Sequence, residues 1–346
     1  MSAYKKEFEI EKKQKLREIL QELPDFCRSF FISIENNTSI LTQINYAYDL
    51  RLFFNFLITP PHRFNGRNVK ELTAECLNQI TIDDLYDFLN YISLYENEHE
   101  RFIENHERGK ARKIAALRSF FKYFYKKQVI SENICSLIDT PKIHEKAIIK
   151  LEPNEIADLL DAVESGELLS VHQKAYHQKT VLRDVAIFTL FLSTGIRISE
   201  LVSLDIADLD FSANAFTVTR KGGNQTILYF GNEAKTALKN YLAQRKTDPA
   251  YTIHAPLFTS LQNKRMSVRA VQELVKKYTQ GAVPLKHISP HKLRSTFGTM
   301  LYNETEDIYM VADVLGHKDV NTTRKHYASM SEDIRRKASK AVKLRD

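Results

Sequence analysis

Cysteine, glycine and proline are all scarce in this sequence of 346 residues. Its three cysteines, Cys27, Cys76 and Cys135, lie far apart and show no paired spacing, which argues against a disulfide framework or a zinc site. We therefore expect buried free thiols. With only 10 glycines and 9 prolines, and with no low-complexity tract or repeat, the chain has the composition of a folded globular protein.

Long apolar runs are also missing. The densest one, AIFTLFL at residues 186–192, is far shorter than the roughly 20 residues that a membrane-spanning helix needs. The N-terminal segment MSAYKKEFEI is charged and does not resemble an export signal. These absences predict a soluble, unexported, cytoplasmic protein without a membrane partner.

Length and net charge narrow the class of protein further. The length exceeds that of one ordinary domain and suffices for two, each with its own core. The chain carries 50 lysines and arginines against 43 aspartates and glutamates, and its net charge is +7. This positive net charge suits a polyanionic partner without requiring one. Whether the protein binds such a partner has to be judged from how its basic residues cluster along the chain.

The first 140 residues have the pattern of helices. Apolar residues recur at near-helical steps from Ile40 through Tyr48 to Phe56, and Thr38 and Ser39 are both available to cap the helix that they predict. A second helix should start at Thr81, because Thr81 and Asp84 have the spacing of a capping box.

A third helix, predicted over residues 108–130, carries many basic residues and no acid. Arg118, Lys122 and Lys126 fall in one i, i+4 row and would form a cationic ridge. A charge run of this kind is in general a solvated surface helix. The complete lack of acids favours instead a helix that faces the DNA backbone, with phosphate contacts from Arg108, Arg112, Arg118, Lys122 and Lys126.

Two segments in the middle of the chain lack a clear apolar pattern. The stretch DTPKIHEKAIIKLEP at 139–153 loses helical periodicity and has a proline near each end, which indicates a linker at 141–152. The polar stretch 165–179 is predicted to be a surface insertion. Its His172 and His177 are not in register with any acid or thiol, so no metal site is expected.

The second half of the chain mixes helices with one hairpin. An apolar helix is predicted from about Val181 to Ser193, with Gly195 as its C-terminal stop. The runs AFTVTR at 215–220 and QTILYF at 225–230 predict two strands, and the KGGN between them places Lys221 at or near a tight turn. Helices follow at about 232–245, 267–279, 290–303, 307–315, 319–327 and 331–343, so the expected fold class is mainly α with a small β-sheet.

Six polar residues of the second half could carry out transesterification of a phosphodiester without a metal. Such a reaction needs a nucleophile, donors for the two non-bridging oxygens and an acid for the leaving oxygen. Arginine forks suit the donors, histidines can donate or shuttle a proton, and a hairpin lysine can reach the leaving oxygen. The candidates are Arg197 and Arg294, His291 and His317, Lys221, and Tyr327 as the nucleophile.

Each of these residues alone has an ordinary structural explanation. Tyr327 is one of 16 tyrosines, most of which should be packing residues. Arg197 could pair with Glu200, and Lys221 could be an exposed turn residue. The segments that contain them therefore have to be judged together.

Taken in order, these segments resemble the motifs of the tyrosine recombinase family, which includes phage integrases and Xer proteins. TGIRISEL resembles its first arginine box, HKLRSTFGTML its His-x-x-Arg box, and VLGHKDVNTTRKHYA its Leu-Gly-His box with the nucleophile. The resemblance is close from about residue 150 onward and looser before it. It implies a 3′-phosphotyrosyl link to DNA through Tyr327, no cofactor, and a phosphate-activating set of Arg197, Lys221, His291, Arg294 and His317.

The resemblance also implies an architecture and partners. A helical core-binding (SAM-like) domain would occupy residues 1–140, and a mixed α/β catalytic domain would occupy 153–346 and end in a helix that docks on a neighbouring protomer. The expected partner is double-stranded DNA with a specific recombination site. Four copies would assemble on two sites, alone or with a paralogous recombinase, in association with the nucleoid.

Other functions compete with recombination on the sequence alone. A type IB topoisomerase-like relaxase uses a similar residue set but would relax supercoiled DNA without recombinants. A DNA-binding module with a dead active site is disfavoured because all six positions are filled, and no RNA-binding signature is present. Between biological roles, the short segment before the first core helices favours Xer-like resolution of chromosome dimers over integration or excision of a mobile element.

Overall fold

The computed structural model describes residues 3–97, 100–142, 149–220, 223–248, 251–317 and 319–323. The chain divides into two compact units, Met1–Glu145 and Lys146–Asp346, here called the N-terminal and C-terminal units. The division falls inside the segment 141–152 for which the sequence predicts a linker. Both units consist mainly of helices, with small sheets, which is the fold class that the pattern of apolar residues predicts.

The N-terminal unit is built mostly from helices. They are α1 (Ala3–Gln21), α2 (Cys27–Ile34), α3 (Ile40–Ile58), α4 (Ile82–Tyr91) and α5 (Glu107–Lys126), with short 3₁₀ turns at Val69–Glu71, Ala74–Gln79 and Ile134–Ser136. Strands β1 (Leu94–Glu96) and β2 (Phe102–Glu104) form an antiparallel pair between α4 and α5. The sequence pattern does not predict this pair, whose strands have three residues each.

Two helix starts of this unit, those of α3 and α4, are set by local capping, and of the two caps predicted for α3 it is Ser39 that is used. The Ser39 hydroxyl accepts a hydrogen bond from the Thr42 N–H at the first turn of α3. At the start of α4, the Thr81 hydroxyl accepts from the Asp84 N–H while the Asp84 carboxylate accepts from the Thr81 N–H. Both of these helix starts are therefore specified by residues within one turn.

An aromatic core holds the N-terminal unit together. The ring of Phe120 on α5 makes edge contacts with Phe30, at 5.3 Å between centroids, and with Phe54, at 6.0 Å. The buried face of helix α3 differs from the predicted stripe in two ways. It also includes Phe53 and Phe54, and it leaves Tyr48 exposed. The three cysteines of the chain also lie in this unit, and all three are buried free thiols, as expected.

The described part of the C-terminal unit consists of helices and a three-stranded sheet. The helices are α6 (Pro153–Ser165), α7 (Val171–Thr194), α8 (Ile198–Ser203), α9 (Asn232–Arg245), α10 (Val268–Ala282), α11 (Pro290–Thr305), α12 (Ile308–Leu315) and α13 (Val320–Thr323). The antiparallel strands are β3 (Leu209–Asp210), β4 (Ala215–Thr219) and β5 (Gln225–Tyr229), in that order. The helix predicted at 331–343 lies outside the described residues.

The predicted hairpin is confirmed. Strands β4 and β5 pair from Ala215 opposite Tyr229 to Thr219 opposite Gln225, and the Arg220 N–H donates to the Asn224 carbonyl beyond the last pair, at 2.8 Å. Residues 221 and 222 lie outside the described residues. The short strand β3, which the sequence analysis does not predict, adds a third strand beside β4.

The polar stretch 165–179 lies mostly at the surface, as predicted, but it is not an insertion, because helix α7 begins within it. Helix α7 begins at Val171, behind a capping box of Ser170 and Gln173, and continues without a break into the apolar segment. His177 is buried, with one ring nitrogen 3.0 Å from the Tyr278 hydroxyl and the other 3.2 Å from the Glu164 carbonyl. The polar stretch thus includes the exposed first turns of a 24-residue helix, in which His177 is the buried residue of 171–179.

Within the described parts of the chain, no helix is long and apolar enough to cross a membrane.

Candidate active site

Arg294 lies in the interior of the C-terminal unit. Helix α11 starts at Pro290, whose ring suits the first helical position, and it carries Arg294 one turn further on. The guanidinium is 5% exposed, and it donates to the Gly195 carbonyl and to the Leu315 carbonyl. It therefore joins the end of α7 to the end of α12.

The turn after α7 places the second predicted arginine. Gly195 ends α7 with a positive φ of 59°, and the space next to its Cα is filled by Phe297 and Leu315, so this position requires glycine. Arg197 follows as the residue before α8. Its guanidinium donates to the Gly316 carbonyl at 3.0 Å.

Glu200 fixes the orientation of Arg197. Its carboxylate accepts from Arg197 Nη1 at 2.8 Å and from the Arg197 backbone N–H at 3.0 Å, and its side chain is only 5% exposed. A carboxylate buried in this way needs such partners to offset the loss of water. The pairing with Glu200, which is the ordinary structural explanation for Arg197 in the sequence, is thus found, and it lies within the site.

A third arginine, which the sequence analysis does not predict, meets the other two at the end of α12. Arg220, next to the hairpin, donates to the carbonyls of Asp313, at 3.2 Å, and Val314, at 2.7 Å. Arg220, Arg294 and Arg197 thereby bind the four successive carbonyls of residues 313–316. We call these three residues the arginine collar.

The electrostatics of the collar follow from its place in the fold. The C-terminal end of a helix carries partial negative charge on its free carbonyls, so three guanidiniums are favourable there. Burial lowers the pKa of Arg220, and the nearby Arg197 lowers it further, whereas Glu200 and Asp313 act in the opposite direction. Positive charge is therefore concentrated at this turn with few acids to balance it, an arrangement suited to an anion.

His317 is the first residue after this turn. Gly316 ends α12 with a positive φ of 63°, and the His317 ring, half-buried, has its Nδ1 2.7 Å from the hydroxyl of Thr323. Thr323 is completely buried on α13, so it fixes the orientation of the imidazole. Thr323 cannot be recognised from the sequence, because nothing in its spacing distinguishes it from an ordinary helical threonine.

The other predicted catalytic residues are placed less completely. His291 lies exposed on the first turn of α11, three residues before Arg294. Lys221 and Tyr327 lie outside the described residues. The structure therefore brings Arg197, Arg294 and His317 to one turn, and it describes the strands on either side of the lysine.

The basic residues of α5 have different surroundings from one another. Arg112 makes a two-pronged ion pair with Asp49, whose side chain is 2% exposed. Arg118 donates to the carbonyls of Cys135 and Ile138 and to the Thr140 hydroxyl, so it holds the segment that follows α5. The remaining three of the predicted DNA contacts, Arg108, Lys122 and Lys126, are exposed.

No metal site is evident in the described residues, where no group of three histidines, cysteines or acids is close enough to hold an ion.

Comparison with known proteins identifies the family. A model of the phage integrase family matches residues 150–333, which include the arginine collar, and the chain belongs to this family. It is 34% identical over 288 residues to tyrosine recombinase XerC of Caldanaerobacter subterraneus subsp. tengcongensis, covering 81% of this chain and 75% of that protein. With tyrosine recombinase XerC of Bacillus subtilis it shares 30% identity over 328 residues, 92% of this chain and 95% of that one. The resemblance to Xer-like tyrosine recombinases is confirmed.

Solved structures share the fold. The XerH site-specific recombinase, in a post-cleavage complex with palindromic difH substrate, superposes with a TM-score of 0.65 at 20% identity, over 88% of this chain and 80% of that chain. The Tn1549 transposon integrase with a circular intermediate DNA has a TM-score of 0.65 at 18% identity, over 91% and 99% of the two chains. The predicted fold class of a tyrosine recombinase is therefore confirmed.

Proposed function

We propose that this chain is a site-specific DNA recombinase of the Xer type, which cuts and rejoins DNA strands through a 3′-phosphotyrosyl intermediate. The arginine collar is the observation that carries the proposal. Its residues Arg197 and Arg294 come from two of the three family motifs and meet at the turn that leads into the third. Relatives named XerC, matched over most of both chains, support the same activity.

The proposed chemistry assigns one task to each residue. The Tyr327 oxygen attacks the scissile phosphorus and its proton passes to water, while the bond from phosphorus to the 5′ oxygen breaks and that oxygen gains a proton from Lys221. Arg197 and Arg294 neutralise the non-bridging oxygens, with His291 and His317 as further donors. The partner strand's 5′ hydroxyl then attacks the phosphotyrosine and gives its proton to Lys221, while the bond from phosphorus to the Tyr327 oxygen breaks and that oxygen takes a proton from water. Because the tyrosyl link retains the bond energy, the scheme needs neither metal nor ATP.

The N-terminal unit is proposed to bind the DNA backbone through part of the basic face of α5. Arg108, Lys122 and Lys126 are exposed and suit phosphate contacts. Arg112 and Arg118 are engaged with Asp49 and with the segment after α5, so we assign them to holding the unit in shape.

The proposed partner is double-stranded DNA with a specific recombination site, with four protomers on two sites. Solved relatives include recombinases in complex with DNA. Resolution of chromosome dimers in the cytoplasm, at the nucleoid, is the role that the XerC relatives favour. Integration or excision of a mobile element is the second candidate, supported by the likeness of the fold to the Tn1549 integrase.

The test of the chemistry is capture of DNA by a tyrosine variant. The substrate is a nicked duplex whose cleaved fragment diffuses away, so that covalent protein–DNA product accumulates. We expect Tyr327→Phe to form no adduct while it binds the duplex as the parent does, because it loses only the phenol oxygen. The matched control is Tyr309→Phe, at an exposed tyrosine of α12, which should form the adduct normally. An adduct with Tyr327→Phe would refute the assignment of the nucleophile.

The test of the biological role is the identity of the bound site. Selection from genomic DNA should return a site near the replication terminus for a chromosomal recombinase and the ends of an element for an integrase. Relaxation of any supercoiled plasmid without recombinant products would indicate a topoisomerase-like activity instead.

A further inference from the structure

Arg220 occupies the base of the β4–β5 hairpin. Its N–H donates to the Asn224 carbonyl at 2.8 Å, and its carbonyl accepts from the Gly223 N–H at 3.1 Å, so its backbone closes the turn region on both sides. Lys221, the lysine of the proposed chemistry, is the next residue along the chain. Arg220 is therefore the described residue that is bonded directly to Lys221.

The side chain of Arg220 leaves the hairpin and binds a different element. Its two terminal nitrogens donate to the Asp313 and Val314 carbonyls at the last turn of α12, and Nε is buried with no partner among the described residues. The guanidinium also lies against Gly316, where a methyl group added to the Cα would overlap Arg220 Nη1. The fit is close enough that Gly316 is required here both for its positive φ and for the space.

The described contacts of the Arg220 side chain are with the protein itself. Its side chain is half-buried, both terminal nitrogens are bound to backbone carbonyls, and burial holds its pKa below the ordinary value. Arg197 and Arg294 are bound in a similar way, but they lie in two of the segments that resemble the family's motifs, whereas Arg220 lies outside all three. The contacts of Arg220 instead join the hairpin to the turn from which His317 follows.

We infer that Arg220 is a positioning residue, which joins the base of the β4–β5 hairpin to the Gly316 turn and so holds Lys221 in register with His317 and the collar. This inference rests on the proposed function. An arginine suits the task because its planar fork binds two successive carbonyls at once, whereas a lysine could bind only one in a defined direction. Two segments that lie 93 residues apart in sequence are thereby fixed to one another.

The first test compares variants of the hairpin in single-turnover cleavage. A displacement of about 1 Å at a reacting group can cost about 100-fold in rate, so we expect Arg220→Ala to slow cleavage by about that factor. Its Kd for the duplex should stay within about twofold, because the described contacts of its side chain are all with backbone carbonyls of the protein. Arg220→Lys should restore part of the rate. The matched control is Gln225→Ala, at an exposed residue of β5, which should cleave at the parent rate.

The second test distinguishes positioning from general loss of structure. In a substrate with sulfur in place of the bridging 5′ oxygen, the leaving thiolate needs no proton, so a defect in delivering the proton from Lys221 is bypassed. Both Lys221→Ala and Arg220→Ala should therefore regain cleavage on the sulfur substrate. Arg197→Ala should not, since its defect lies at the non-bridging oxygens.

Each outcome bears on one assignment. Rescue of both Lys221→Ala and Arg220→Ala supports the inference. Rescue of Lys221→Ala alone, or cleavage by Arg220→Ala within about threefold of the parent rate, rejects a positioning role for Arg220 while leaving the proposed function in place. Failure to rescue Lys221→Ala rejects its role as proton donor, and with it the inference that depends on that role.

Discussion

Replacement of Arg197 by alanine should affect stability as well as cleavage, because it removes the partner of a buried acid. The Glu200 side chain is 5% exposed, and its Oε1 lies 2.8 Å from Arg197 Nη1. In Arg197→Ala the carboxylate keeps its bond from the backbone N–H but loses the neighbouring charge. A buried ion left without its partner is the main source of large destabilisation when such a pair is broken.

The magnitude follows from the burial of the two partners. Removing one partner of a fully buried pair costs about 3–5 kcal/mol. Arg197 is itself 33% exposed, and Arg220 remains close to Glu200, so we expect a smaller loss in the free energy of unfolding, about 2 kcal/mol. For a unit of this size that corresponds to a fall in Tm of about 4–8 °C.

A double variant separates the stability effect from the catalytic one. Arg197→Ala combined with Glu200→Gln removes the unpaired charge while it retains the shape, so it should unfold at a higher temperature than Arg197→Ala alone. Neither variant should cleave well, since loss of a preorganised donor costs about 100- to 1000-fold. Arg269→Ala, which breaks an exposed pair with Glu273, is the stability control and should change the unfolding free energy by less than about 1 kcal/mol. If calorimetry finds the double variant no more stable than Arg197→Ala, the stability argument is wrong.

Three further predictions concern the N-terminal unit. Replacing Lys122 and Lys126 by alanine should lower the slope of log Kd against log salt by about 1.8, as for two lost phosphate contacts, and an unchanged slope would exclude those contacts. Burial raises the pKa of Asp84, but bonds from the Thr81 N–H and from Arg63 outweigh it and the net pKa lies below the usual value. The stabilisation by this carboxylate is therefore complete above the unfolded pKa of about 4 and is lost as the pH falls through the lower folded pKa. In thermal unfolding, Asp84→Asn should lower the free energy of unfolding by about 1 kcal/mol at pH 7 and hardly change it near pH 2. All three cysteines are buried, and burial raises the thiol pKa of Cys27 and Cys135, so a thiol reagent should label the chain only after denaturant is added; rapid labelling of the native protein would contradict this.

Features specified within a few residues are those that the sequence predicts well. The capping box of Thr81 and Asp84, the stop at Gly195 and the hairpin around Gly223 all depend on neighbours in the chain, and all are found. Similarly, the motifs around Arg197 and Arg294 are short and ordered, so family membership follows from them. Local chemistry is sufficient for features of this kind.

Features that depend on distant partners are those that the sequence does not predict. His177 resembles a surface residue until Tyr278, 101 positions later, packs against it. Arg118 resembles part of a cationic ridge, yet it binds carbonyls 17 and 20 residues further on. The contacts of Arg220 cannot be predicted from the sequence, because its acceptors are backbone carbonyls of another helix and do not depend on residue type.

The acceptors of the arginine collar have a consequence for the divergence of this protein. The collar binds carbonyl oxygens of residues 313–316, and every amino acid supplies a carbonyl. Substitutions of the Asp313 or Val314 side chain that preserve the helix therefore leave the acceptors in place, whereas a change at Gly316 removes the space that Arg220 occupies. Homologues of this protein can therefore differ in the side chains at the end of α12 and still retain the same three arginine contacts at this turn.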